Sequence, residues 1–144
     1  MITMAGTETD TYELRPIGVV RSELRARGEA PRQAFEGAPP ARVEIRPQFR
    51  DLLDGIAVGD DVIVLTWLHQ SDRTARHTHP RGDLRLPLAG VFATRSPDRP
   101  NPIGLHRVTV TEMAGGSLAV GALEAIDGTP VVDIKPVMAE SADG

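Results

Sequence analysis

Seven short runs rich in Val, Ile and Thr punctuate this chain, and none exceeds ten residues. They are RPIGVVRS (15–22), ARVEI (41–45), DVIVLTWL (61–68), GVFAT (90–94), HRVTVTEM (106–113), SLAVGALEAI (117–126) and PVVDIKPV (130–137). β-Branched side chains fit a pleated, half-buried backbone, and turn residues bound most of the runs. Gly115-Gly116 suits a two-residue hairpin between the strands ending at Met113 and starting at Ser117. Helical signals gather only in PQFRDLLDGI (47–56), with Pro47 at its start and Gly55 at its end. The pattern predicts a mainly β fold of about seven strands, an antiparallel barrel or sandwich with one or two short helices, and it argues against regular βαβ crossovers.

The 144 residues suffice for one domain. Residues 1–13 read as a flexible N-terminal tail without the basic and apolar regions of a signal peptide, and 139–144 as a C-terminal tail. No apolar run is long enough for a membrane span, so a cytoplasmic protein with no membrane partner is expected. The absence of cysteine excludes disulfides, thiolate nucleophiles and zinc-thiolate sites. The net charge of −4 hides a strong asymmetry: His69 to Arg107 holds seven arginines, all four histidines and only three acids. That segment is the candidate anion-binding surface.

FATRSPDRPNPIG (92–104) lies inside it. Pro97, Pro100 and Pro102 remove backbone donors and fix φ, which predicts a stiff, extended loop carrying Arg95, Arg99 and Asn101. Two other stretches, 23–40 and 69–90, exceed ordinary hairpin length, and loops that long are functional or disordered in small domains. No GxGxxG opens a helix, no Walker A sequence occurs, and no serine sits in a GxSxG elbow. His77 and His79 form one His-x-His pair without an evident third ligand, so no metal is expected. In DGTPVVDIKP (127–136), Asp127-Gly128 reads as a tight turn, and strand alternation puts Asp133 and Lys135 on one face with Val132 and Ile134 on the other. The charged pair either lines a polar pocket or forms a surface ion pair.

PRQ (31–33), HQ (69–70), GVFATRSPDRPNPIGL (90–105) and DGTPVVDIKP (127–136), in this order, resemble the TrmO-type (TsaA-like) family of tRNA methyltransferases over about Leu14 to Val137. The resemblance implies a single barrel domain over 14–138, a small antiparallel β-barrel working as a homodimer with S-adenosylmethionine as cofactor. It also implies methylation of N6 of threonylcarbamoyladenosine beside the anticodon of tRNA. The cofactor contacts it implies are Pro31, Arg32, Gln33, His69, Gln70, Arg95, Leu105, Asp127, Gly128, Thr129 and Pro130. Arg99 and Asn101 are candidates for substrate binding or for holding their loop. Asp133, oriented by Lys135, is the candidate proton acceptor. A small-molecule methyl acceptor, or a non-catalytic cofactor-binding module, is the alternative to tRNA at this level.

Overall fold

The structure is a computed structural model that describes residues 10–25 and 39–138. Among these, the strands are β1 (Gly18–Arg21), β2 (Pro40–Ile45), β3 (Asp61–Trp67), β4 (His77–Thr78), β5 (Ala89–Gly90), β6 (Ile103–Ala114), β7 (Ser117–Ala122) and β8 (Pro130–Pro136). Six of them close into an antiparallel barrel in the order β1-β2-β7-β6-β3-β8, and β8 pairs back onto β1. β4 and β5 form a separate two-stranded ribbon within the long 69–102 excursion.

Alternation builds the barrel wall. From Ile103 to Val110 every second residue of β6 is buried, and β2 repeats the pattern with Ala41, Val43 and Ile45 inward. The interior is dominated by valine: Val20, Val43, Val64, Val110, Val120 and Val131 are completely buried, together with Leu118 and Leu123. Six strands enclose too narrow a space for stacked aromatic rings, and β-branched side chains fill it in their preferred strand rotamers. The aromatic count of three Phe, one Tyr and one Trp agrees with that geometry.

The register places the chain ends of the strands in two groups. One end, the lower, carries the β6–β7 turn and the β2–β3 connection; Gly115 (φ 58) and Gly116 (φ 80) form the expected two-residue turn with left-handed backbone at both positions. The 47–56 segment covers this end, but as a seven-residue 3-10 helix, Pro47–Leu53, and not an α-helix. Arg46 supplies no side-chain cap, and so short a helix gains little from propagation, leaving Phe49, Leu53 and Ile56 to anchor it on the core. The other end, the upper rim, receives the β1–β2, β3–β6 and β7–β8 connections.

One expected strand is absent. GVFAT contributes Gly90 to the ribbon, after which Val91–Ala93 wind into a 3-10 turn whose Val91 carbonyl accepts the Thr94 amide. A closed barrel has no free edge to pair with a seventh strand, and Val91 alone of the three is buried.

Closure runs through the shortest barrel strand. Gly18 pairs with Ile45 on one side and Val131 on the other. A Cβ on Gly18 would sit 2.2 Å from the Glu44 carbonyl oxygen, so β1 approaches β2 more closely than a side chain permits. Gly18→Ala is therefore expected to lower stability in urea unfolding by about 1–3 kcal/mol, the usual range for an overpacked site. Gly121→Ala, whose Cβ would meet nothing within 4 Å, is expected to stay within about 0.5 kcal/mol; similar losses in both would refute the closure argument.

Candidate functional site

The upper rim gathers segments that lie far apart in the chain. Thr66 of β3 pairs with Gly104 of β6 and with Val131 of β8, so His69 and Gln70, Leu105, and Asp127 to Pro130 emerge at the same end. The Asp127–Pro130 turn is pinned to β1 by its backbone. Val20 N–H donates to the Thr129 carbonyl, Gly128 N–H to the Val20 carbonyl, and Asp127 N–H to the Leu24 carbonyl. Gly128 (φ 86) takes the left-handed conformation a tight turn requires, with open space where its Cβ would be. Thr129 is buried and its hydroxyl donates to the Ile126 carbonyl. Pro31, Arg32 and Gln33 lie outside the described residues.

The Asp127 carboxylate is engaged at both oxygens. Oδ1 accepts the Ser22 amide at 3.0 Å and Oδ2 accepts Arg25 Nη1 at 2.9 Å. Its structural work is thus to tie the turn to the end of β1. Leu105 points outward, 48% exposed, beside Leu65 on β3, and Leu65 in turn pairs with Asp133 on β8. The rim therefore continues onto an outer wall with Trp67, Ile103, Leu65 and Leu105 in adjacent register.

Between Phe92 and Gly104 the backbone is irregular from Thr94 to Pro102, with the Val91–Ala93 turn before it and β6 after it. Arg99 Nη1 donates to the carbonyls of Thr94 (3.1 Å) and Ser96 (2.7 Å), which a proline-rich segment cannot satisfy by a ladder. Asn101 Oδ1 accepts Arg73 Nη2, while Arg73 Nε donates to the Pro100 carbonyl and its guanidinium lies 5.0 Å from the Trp67 ring centre. The Asp72 amide donates to Asp98, so this loop and the one after β3 are cross-linked. Arg95 differs: it is exposed and has no hydrogen bond or ion pair among the described residues. Arg85 is held bidentately by Asp83, which raises its pKa further above the ordinary guanidinium value.

In β8 the expected alternation breaks. The register shifts between Leu65 and Thr66, so Val131 and Ile134 reach the core where Val132 and Ile134 were expected to share a face. Asp133 and Lys135 still fall on one side, the outer wall, as a largely exposed ion pair with Lys135 Nζ 3.4 Å from Asp133 Oδ2. Of the two sequence alternatives, the described geometry is the surface pair. Among the described residues no three metal-ligating side chains cluster.

One polar cluster was missing from the sequence reading. Inside the barrel, just under the rim, His106 Nε2 lies 2.8 Å from the Thr66 hydroxyl and Nδ1 lies 3.0 Å from Glu124 Oε1. Thr66 is completely buried and His106 is 5% exposed. The order hydroxyl, imidazole, carboxylate has the connectivity of a hydrolytic triad, but a substrate has no access to a hydroxyl that is completely buried. The signal was present in the alternation, which puts His106 in phase with Val108 and Val110, and Thr66 in phase with Val62 and Val64. Glu124 lies in an irregular connection where no periodicity announces its direction.

The role of Arg99 is directly testable. Arg99→Ala is expected to change global stability by less than about 1 kcal/mol while amides of Thr94 to Asp98 exchange faster, since the loop loses its carbonyl clamp. Unchanged exchange there would show that the prolines alone hold the loop.

The family model for the "tRNA-methyltransferase O N-terminal domain" covers residues 19–143. An archaeal relative from Methanothermobacter thermautotrophicus, named "Probable S-adenosyl-L-methionine-binding protein", is 42% identical over 123 residues, 85% of this chain and 88% of that protein. An "S-adenosyl-L-methionine-binding protein" from Archaeoglobus fulgidus is 40% identical over 122 residues, covering 85% of this chain and 86% of its own. Among solved structures, a TrmO crystal structure superposes with a TM-score of 0.73 at 32% identity, and TrmO from Pseudomonas aeruginosa with 0.70 at 31%. Each covers 94% of this chain, which spans 62% of the length of either. A family model over nearly the whole chain, and solved structures that superpose on its barrel at more than 30% identity, show that the chain belongs to the TrmO N-terminal domain family.

Proposed function

We propose that this chain is an S-adenosylmethionine-dependent methyltransferase that methylates N6 of threonylcarbamoyladenosine in tRNA, working as a homodimer. Family membership supports the methyltransferase class and the cofactor. The observation that carries the tRNA reading is the exposure of the basic segment. Arg73, Arg76, Arg81, Arg85 and Arg95 are all exposed on the long excursion at the rim, and Arg107 on the outer wall of β6, as a polyanion requires and a closed metabolite pocket does not. Arg76 and Arg95 have no side-chain partner among the described residues.

The residues present fit the cofactor. Arg95 is an unpaired cation for its carboxylate, Leu105 and Ile103 offer an exposed apolar surface for its adenine, and the open space over Gly128 leaves room at the turn. His69, Gln70 and Asp127 to Pro130 complete the described part of the site; the resemblance adds Pro31, Arg32 and Gln33. When bound, the cofactor supplies an electrophilic methyl group on a sulfonium. The chain's task is to hold the nitrogen nucleophile in line, which accounts for most of the rate such a transfer needs. Methyl transfer to the N6–H nitrogen would leave it positively charged with a strongly acidic N–H, so a weak base suffices to take that proton, and Asp133 on the outer wall is the group we assign to it. Arg99 and Asn101 serve by keeping the arginine loop in shape, and we assign phosphate contact to Arg76.

A partner subunit has a surface to cover. Leu84, Leu88 and Phe92 are 79%, 60% and 83% exposed on the excursion that carries the ribbon. Light scattering is expected to give a dimer mass at micromolar concentration, and Phe92→Asp to shift it toward monomer; an unaltered dimer would place the interface elsewhere.

For the cofactor, calorimetry with a chelator present is expected to show binding, and Arg95→Ala to weaken it by about one to two orders of magnitude through loss of a charge-assisted contact. For the substrate, Arg76→Ala is expected to leave cofactor affinity intact and reduce the salt slope of tRNA binding by about one counterion. Mass spectrometry of tRNA nucleosides from cells with and without the gene tests the reaction itself: an unchanged level of the N6-methylated nucleoside would overturn it.

A further inference from the structure

The buried chain Thr66–His106–Glu124 has no place in the reaction as described, and its position in the barrel is what calls for explanation. Each member roots a different segment of the rim. Thr66 lies on β3 three residues before His69, His106 is next to Leu105 on β6, and Glu124 stands three residues before Asp127 in the β7–β8 connection. The three hydrogen-bond partners therefore join, through the barrel interior, three of the segments to which we assign cofactor binding.

With a neutral imidazole facing an ionised carboxylate, the chain has one direction: His106 Nδ1–H donates to Glu124, Nε2 is left as acceptor, and the Thr66 hydroxyl donates to it. In that tautomer every donor points toward Glu124, and no buried side-chain polar atom lacks a partner among the described residues. Stability does not call for such an arrangement. The rest of the core is aliphatic, and apolar side chains of similar volume stabilise an interior as well as a polar network does. What a directional network adds is a defined spacing between the elements it joins, which packing of valines leaves looser.

Gly104 belongs to the same device. Its missing side chain is the space the network occupies: a Cβ there would lie 2.3 Å from the Thr66 hydroxyl and 2.7 Å from His106 Nε2. The glycine in PNPIGL thus has a packing reason, independent of any turn, since no positive φ is recorded for it.

We propose that Thr66, His106 and Glu124 are positioning residues for the cofactor rim, setting the mutual placement of the His69–Gln70 segment, Leu105 and the Asp127–Pro130 turn. This rests on the cofactor assignment above. The experiment uses the full chain in four forms: wild type, Thr66→Val, Thr66→Ser and Glu124→Ala. S-adenosylmethionine affinity is measured by calorimetry and amide exchange by NMR, with core amides of β2 and β7 as the reference for global opening. Thr66→Val and Glu124→Ala are expected to weaken binding about tenfold or more, and to speed exchange of the Gly128 amide relative to the reference. Thr66→Ser, which keeps the hydroxyl, is expected to retain near wild-type values for both. Wild-type affinity in Thr66→Val and Glu124→Ala, or equal impairment of Thr66→Val and Thr66→Ser, overturns the proposal. Absence of binding by the wild type overturns the cofactor assignment instead, and exchange at Gly128 then decides alone whether the network holds the turn.

Discussion

Barrel closure between β1 and β8 is the contact on which the rest of this molecule depends. It is a small seam. Two Cα pairs, Gly18 with Val131 and Val19 with Pro130, are reinforced by Ile17 N–H donating to the Val131 carbonyl and Val20 N–H to that of Thr129. Without it, β1 and β8 would each expose an unpaired edge, and the Asp127–Pro130 turn would lose the strand it is bonded to. Such pairing joins residues more than a hundred apart in the chain, so it carries the largest loop-closure entropy of any contact in the barrel. The close approach permitted by Gly18 is what lets so short a strand bond on both sides.

Closure also separates labour between the two ends. The lower end is finished by a two-glycine turn and a 3-10 segment, both tight and locally bonded. At the upper rim the β3–β6 connection is long, rich in arginine and proline, and held by side chains reaching backbone carbonyls: Arg99 to Thr94 and Ser96, and Arg73 to Pro100. A rigid scaffold with its variable, charged loops at one end is a common way to build a binding surface. In this chain the rim is stiffened from above by prolines and from below by the Thr66–His106–Glu124 chain, so pre-ordered loops lower the conformational cost of taking up a ligand.

Local chemistry was legible wherever it acts through the backbone of a few neighbouring residues. Runs of β-branched residues marked all six barrel strands, each end to within about three residues except that of β7, Gly115-Gly116 marked its turn, and Pro97, Pro100 and Pro102 marked an irregular loop. Where neighbours in space decide, local signals misled. GVFAT has strand propensity, yet the closed barrel offers it no edge, and the bulge in β8 moves Val131 into the phase that simple alternation assigned to Val132.

The same division holds for the candidate site. Sequence alone determined the residue types and their segments: the HQ pair, the arginine loop, the DGTP turn and the charge asymmetry that points to an anionic partner are properties of linear order and composition. Only the tertiary structure decided that these segments meet at one rim and that Arg99 is occupied with carbonyls while Arg95 is not. It also decided that Asp133 and Lys135 face each other on an outer wall, and that a histidine, a threonine and a glutamate from three separate segments join inside the barrel. Hydrogen-bond partners in a barrel are chosen by strand order and register, which are long-range quantities set by closure, and no local run of residues encodes them.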